Sequence, residues 1–281
     1  MDRTASSASS PTARRFGVRL WRFVPLLDAI MPCVLIGALI VAWYVAAERQ
    51  VVTAFLLPAP ATVLRWIVND VWSGQFFVNT FWTLYRTLAG FVLSAMLGVA
   101  IGILMSRLKW VHWFFDPIVS IGMPIPKIAL LPVFMLWFGL YDASKILMVA
   151  FSAIFQVIAS TWQGTQAVEK ELIWSARAVG ASERQILFEI VARAASPQIL
   201  TGLQITFPLC LIVVLITEMQ MGGQGLGDAM LSAARYAKTA GVFAGIIEIG
   251  FVGLCAIKAM EWLRRRLLAW HQETAREAGG I

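Results

Sequence analysis

Ionisable residues stand inside two of the chain's apolar runs: Lys127 within "PIPKIALLPVFMLWFGL" (124–140), and Glu248 within the run from Gly241 to Met260. A charge in such surroundings is costly and marks an ion path, a proton relay or a solute contact. Lys127 is placed to meet an anion. With Glu248 it would supply the coupling groups of an ion-driven carrier. Plainer readings stand beside these: a snorkelling lysine, and a neutral or hydrogen-bonded structural acid. Glu218 reads as a solvated acid at the outer boundary, and Arg86 as an anchor for the outer edge of an apolar segment. His112 and His271 flank apolar segments, far from any matching ligand cluster. Cys33, Cys210 and Cys255 lie in apolar runs without metal spacing, so they read as packing residues. No H-E-x-x-H, G-x-S-x-G or G-x-x-x-x-G-K-[ST] pattern occurs. The expectation is no metal, no catalytic residue, no cofactor and no ATP bound by this chain. It is not read as an enzyme.

The elements that must position these residues are membrane helices. Of 281 residues 59% are hydrophobic and only 14% charged, against about 25% charged in soluble domains. So much apolar surface exceeds what a core of this size can hide, so lipid is the solvent. The net charge of +7 does not point to nucleic acid, because the basic residues flank apolar spans: Arg14, Arg15, Arg19 and Arg22 before the first, Arg264 to Arg266 after the last. This is the bias of cytoplasmic flanks.

The reading is an all-α integral membrane protein of about six transmembrane helices. A disordered, basic cytoplasmic tail covers 1–22, a transmembrane domain 23–267 and a C-terminal cytoplasmic tail 268–281. The apolar stretch from Pro25 to Ala47 is too long for a signal peptide and reads as an uncleaved first helix. Further spans are expected near 80–105, 113–140, 146–163, 198–217 and 241–260. Pro117, Pro124, Pro126 and Pro132 interrupt the third, and broken backbone must face protein or water. Between the first two, Thr62 is expected to cap a short amphipathic helix. Gly98 and Gly102, four apart, allow a close helix approach. In the loop after the fifth span, Gly222, Gly223, Gly225 and Gly227 permit tight turns, with a short helix from Asp228.

The insert 164–197 is far longer than a helical hairpin needs. Val168, Leu172, Ala176 and Val179 recur at helical spacing, and Gly180 stands where a left-handed residue would end that helix. Ser182 and Gln185 form a capping-box pattern opening a second helix, which is expected to end where Pro197 begins the fifth span. Such a two-helix element either rests on headgroups or docks in a partner's groove.

"SARAVGASERQILFEIV…SPQILTGLQI" resembles the cytoplasmic EAA loop of ABC-importer permeases. "LLPAPATVL" (56–64), "TLYRTLAGF" (83–91), "PIPKIALLPVFMLWFGL" and "GGQGLG" (222–227) resemble the nitrate, sulfonate and taurine branch. Ala176, Gly180 and Ile190 fit the loop's register. Trp174 stands where the triplet's glutamate is usual and Ser175 where its first alanine is; Ala192 and Arg193 replace the Leu-Pro ending. Glu171, one turn earlier, could supply the acid. The resemblance implies a multi-pass permease of the bacterial inner membrane with both termini cytoplasmic. It would pass a small anion delivered by an extracytoplasmic solute-binding protein. Its partners would be cytoplasmic ATP-binding subunits and a second permease copy, forming a homodimer. Glu171, Trp174, Ala176, Arg177, Gly180 and Ala181 would meet the ATPase, and Pro126, Lys127 and Glu248 would lie on the solute path. The competing class is an ion-coupled secondary transporter using Glu248 and Lys127, against which the lack of an inverted hydropathy repeat weighs.

Overall fold

In lipid every backbone N–H and C=O must be bonded within its own segment, so apolar runs of spanning length fold as helices. A computed structural model describes residues 24–268, and all regular structure among them is helical. The expected tails lie outside the described residues, apart from Leu268. So does the side chain of Cys33.

The chain divides into two units, residues 1–63 and 64–281. In the first, α1 (Val24–Glu48) is a helix over the stretch expected as the first span, and its described apolar part, Val34–Glu48, is shorter than the helices that can cross a bilayer. Its Val34, Leu35 and Leu39 are exposed. Trp43 Nε1 donates to Pro58 O at 3.1 Å, which ties down the chain leaving this helix. Next, α2 (Pro60–Trp72) starts on its proline. Thr62 is therefore inside the first turn and does not cap it, since a proline at the first helical position gives up no hydrogen bond.

The second unit continues with α3 (Gln75–Arg107), α4 (Lys109–Gly122), a 3₁₀ turn (Lys127–Leu130) and α5 (Leu131–Phe138). After these come α6 (Asp142–Gln166), α7 (Lys170–Ala178), α8 (Glu183–Met221), α9 (Leu226–Arg235) and α10 (Thr239–Leu267). Among the described residues α3, α6, α8 and α10 are long and apolar enough to cross a bilayer. A fifth crossing exists if α4 and the stretch Lys127–Phe138 form one span bent by 94°. The expected irregularity of the third span is thus real, but it sits at one place. Pro124 and Pro126 mark the bend, whereas Pro117 lies inside α4 and Pro132 in the first turn of α5.

The core is built on α6. Phe91 from α3, Leu131 and Phe134 from α5, Met148, Val149 and Ala153 from α6, and Phe207, Cys210 and Val214 from α8 form one buried cluster. Cys210 packs as expected, while Cys255 is exposed on α10. The α3–α6 seam is close because α3 presents glycines to it. A Cβ on Gly98 would fall 2.7 Å from Val157 Cγ1, and one on Gly102 would fall 2.6 Å from Thr161 Cβ.

The second helix of the insert 164–197 does not stop at Pro197. It passes through six π-helical residues, Ile186–Val191, and continues as α8. Proline costs a helix the bond to the carbonyl four residues back, here Arg193 O. Ser196 Oγ donates to that carbonyl at 2.7 Å, which accounts for the tolerance.

Candidate functional site

The elbow between α6 and α8 is held by local chemistry. At the end of α7 the Ala181 N–H donates to Ala176 O at 3.0 Å and the Gly180 N–H to Arg177 O at 3.0 Å. This is the Schellman pattern, which needs a left-handed residue, and Gly180 has φ +87°. Ser182 then opens α8 with a full capping box. Its backbone N–H donates to Gln185 Oε1 at 2.9 Å, and the Gln185 N–H donates to Ser182 Oγ at 3.3 Å. Arg177 Nε donates to Glu183 Oε1 at 2.9 Å across the corner. Ser182→Ala is expected to cost about 1 kcal/mol, read as faster amide exchange over residues 183–187.

The underside of the elbow is glued to the membrane domain. Val168, Ile186, Val191, Ala195 and Ile199 form a buried cluster, with Val99, Ile173, Ala176, Ala181 and Ile190 against it. The expected stripe is therefore split. Val168 and Ala176 face inward, whereas Leu172 and Val179 face outward, with Ile173 taking the inner position. Val179 is 88% exposed and Trp174 60%, and Leu172 and Phe188 are exposed as well. Glu171 is exposed in the first turn of α7. The six elbow residues singled out in the sequence thus fall in one small structure: Glu171, Trp174, Arg177 and Gly180 on its outside, Ala176 and Ala181 beneath.

At the other end of α8 lies a polar lock that sequence reasoning missed. Glu218, expected to be solvated, is fully buried, and Arg86 is 3% exposed. Arg86 Nη1 donates to Glu218 Oε1 at 2.7 Å and Arg86 Nε to Asp142 Oδ1 at 2.7 Å. Arg86 Nη1 also donates to Gln224 O. Thr83 Oγ1 donates to Glu218 Oε2 at 2.9 Å and accepts from the Leu226 N–H at 2.9 Å, while the Gly227 N–H reaches Glu218 Oε2 at 3.1 Å. Lys145 Nζ closes the set on Gly222 O at 2.6 Å. The glycines of 222–227 let the loop wrap the acid: a Cβ on Gly225 would lie 2.3 Å from Glu218 Cδ. The lock joins the ends of α3, α6 and α8 to the start of α9.

The proposed path residues are not brought together. Lys127 Nζ donates to Met123 O at 2.8 Å and lies 5.4 Å from the Phe155 ring centre, beside Pro126 at the 94° bend. Glu248 is buried against a different cavity, lined by Trp66, Asp70, Tyr236 and Lys238. The cavity beside Lys127 shares no residue with it. His112 stacks on Trp162 at 5.4 Å. Among the described residues no three His, Cys, Asp or Glu side chains gather as metal ligands.

Such a helical domain, with four or five helices able to cross a bilayer among the described residues and a structured elbow at one end, is that of a multi-spanning membrane protein. The chain belongs to the family of binding-protein-dependent transport system inner membrane components, which matches residues 94–269. It is 33% identical to the putative aliphatic sulfonates transport permease protein SsuC of Bacillus subtilis (strain 168), over 85% of this chain and 87% of that one. It is 29% identical to the taurine transport system permease protein TauC of Escherichia coli (strain K12), over 90% and 94%. The formylaminopyrimidine transport permease protein ThiX of Halalkalibacterium halodurans is 28% identical, over 88% and 98%. An amino acid ABC transporter solved with histidines shares the fold, with TM-score 0.60 at 17% identity over 72% of this chain and 98% of that one. The MetNI methionine ABC transporter does so with TM-score 0.52 at 21% identity, over 65% and 94%. The chain is thus an ABC-transporter permease subunit of the inner membrane, not an enzyme, and the ATPase of such a system is a separate partner.

Proposed function

We propose that the elbow formed by α7 and the start of α8 is the seat of the ATP-binding subunit, and that α8 carries its motion across the membrane. The observation that carries this reading is the two-faced elbow. Its inner face is packed on the membrane domain, and its outer face offers Leu172, Trp174, Val179 and Phe188 beside Glu171 and Arg177. Aromatic and apolar anchors ringed by charge suit a protein groove. Capping at both sides of the corner makes the peg stiff. A helix of 39 residues spans about 58 Å at 1.5 Å per residue, so α8 links the elbow directly to the lock at Glu218. ATP binding by the partner would then bias two states of this one lever.

The elbow faces the cytoplasm, together with the C-terminal end of α10. Arg264 to Arg266 end α10, and Arg264 Nη1 donates to Thr201 Oγ1 at 3.1 Å, near the elbow end of α8. The basic end and the elbow therefore lie on one side, as the positive-inside rule requires. Two copies of the chain form the pore, fed by an extracytoplasmic binding protein. The solute is a small anion of the sulfonate or taurine kind, as the names of the relatives support. Pro126 and Lys127, at the break in the third span, lie on its path. The ion-coupled alternative is the weaker reading, because Lys127 and Glu248 face separate cavities.

Gly180→Val tests the seat. Nothing lies within 4 Å of a Cβ at this position, so the substitution acts through the left-handed backbone alone, at about 1–2 kcal/mol. The expected result is a drop of about tenfold in ATP-driven uptake and in ATPase stimulation, with insertion unchanged. Gly180→Asn, which tolerates the left-handed region, should retain most of both. Full uptake by Gly180→Val would exclude the elbow as the seat.

A further inference from the structure

We infer that the cavity between α2, α9 and α10 binds an alkali-metal ion, Na⁺ or K⁺, which pins α2 to α10. This goes beyond the transport reading, since the ion is neither the solute nor the driving force. The cavity holds about 280 Å³, and its lining includes Trp66, Asp70, Ser232, Tyr236, Lys238 and Glu248. Glu248 is 5% exposed, and its Oε1 has no hydrogen-bond partner. A buried acceptor left unbonded is expensive. Asp70 brings a second carboxyl to the same walls from α2, and its burial raises that carboxyl above the ordinary range. A cation between the two would satisfy the acceptor and offset the cost of burying negative charge. Ser232 adds a hydroxyl oxygen from α9, so each of the three helices contributes oxygen.

A bare metal ion fits better than an organic ammonium because the aromatic faces are already taken. Lys238 Nζ lies 5.8 Å from the Trp66 ring centre and 5.7 Å from that of Tyr236, within cation–π range. What the cavity still offers is oxygen, the ligand of hard cations. The valence follows from the charges. Two carboxylates against the one ammonium of Lys238 leave a single net negative charge on the lining, which one monovalent ion cancels. Divalent cages of the calcium type use more carboxylates, and among the described residues no three His, Cys, Asp or Glu side chains gather. Close packing fixes the walls: a Cβ on Gly241 would fall 2.9 Å from the Trp66 ring, and one on Gly245 3.0 Å from Met230.

The test uses the full chain co-purified with its ATPase partner in lipid nanodiscs, at constant ionic strength with N-methyl-D-glucamine as the inert cation. Replacing that cation by Na⁺ or K⁺ should raise the thermal midpoint of the chain by several degrees, since an ion bound only by the folded form stabilises it. Asp70→Asn should weaken the apparent affinity for the ion about tenfold or more, through the loss of one close charge. Asp70 lies on the short, non-spanning α2, so its variant keeps the test open if Glu248→Gln fails to assemble. Lys238→Met should act the other way, tightening the alkali ion and letting Ca²⁺ compete with it, a change that a merely structural lysine would not produce. A midpoint that follows pH but not the ion would mean a proton held between the carboxyls, and it would overturn the inference. So would an Asp70→Asn variant that responds to the ion as wild type does. A strict need for an ion gradient during ATP-driven uptake would overturn it as well, in favour of ion coupling. Failure of the first two kinds leaves the elbow reading standing, because that reading is tested by uptake and ATPase stimulation.

Discussion

Replacing Glu218 by alanine is expected to destabilise the membrane domain by about 3–5 kcal/mol, the cost of breaking a buried ion pair from one side. Arg86 is 3% exposed and would keep its ion pair with the half-buried Asp142 and its bond to the Gln224 carbonyl, but would lose its one fully buried acid partner. Thr83 Oγ1 and the Gly227 N–H would lose their acceptor at the same time. The outcome should be a fall of several degrees in the thermal midpoint of the detergent-solubilised protein. A double replacement, Arg86→Met with Glu218→Leu, should recover most of the loss, because a buried pair exchanged for apolar groups of similar volume is often neutral. Asp142 is only half-buried and can turn to water. If the double variant is as unstable as Glu218→Ala, the loss comes from shape and not from the lost buried ion pair.

The second large effect is expected at the α3–α6 seam. Gly102→Leu should cost about 1–3 kcal/mol or more by overpacking. Its Cβ would stand 2.6 Å from Thr161 Cβ and 3.0 Å from Ile158 O. Neither neighbour can yield: Thr161 is β-branched and stiff in a helix, and the carbonyl is backbone. Gly250→Leu on α10 is the control, since nothing lies within 4 Å of a Cβ there. A lowered midpoint for Gly102→Leu alone, with normal insertion of both, is the expected pattern. Equal behaviour of the two would mean that the seam is looser than its distances indicate.

What the sequence revealed and what it concealed follows the range of the interactions. Four of the expected spans, those near 80–105, 146–163, 198–217 and 241–260, are long apolar helices, because solvation by lipid acts on each segment alone. The end of α7 at Gly180 and the box of Ser182 with Gln185 came through because their hydrogen bonds reach only a few residues. Glu218 did not. Its main partner Arg86 is 132 residues away, and an acid next to a glycine-rich loop looks the same whether that loop floats in water or wraps it. Pro197 misled because a proline reports only its own missing bond, whereas Ser196, one residue before, repairs the damage. The stripe Val168, Leu172, Ala176 and Val179, which runs past both ends of α7, holds only in part. Val168 and Ala176 do face inward, but over so short a helix a period fits more than one face, and Ile173 rather than Leu172 entered the cluster. Glu248 was visible as a costly charge, but its sharing of a cavity with Asp70 depends on how α2 and α10 pack.

The seating of the ATPase on the elbow can be tested in one measurement. A photo-activated cross-linking residue at Val179, the most exposed apolar position of the elbow, is introduced into the full transporter in native-like membranes during ATP-driven uptake. Strong cross-linking to the ATP-binding subunit, lost when the probe is moved to Trp72 on α2, is the result expected. Cross-links from position 179 to lipid alone, while solute still accumulates at the expense of ATP, would contradict the account.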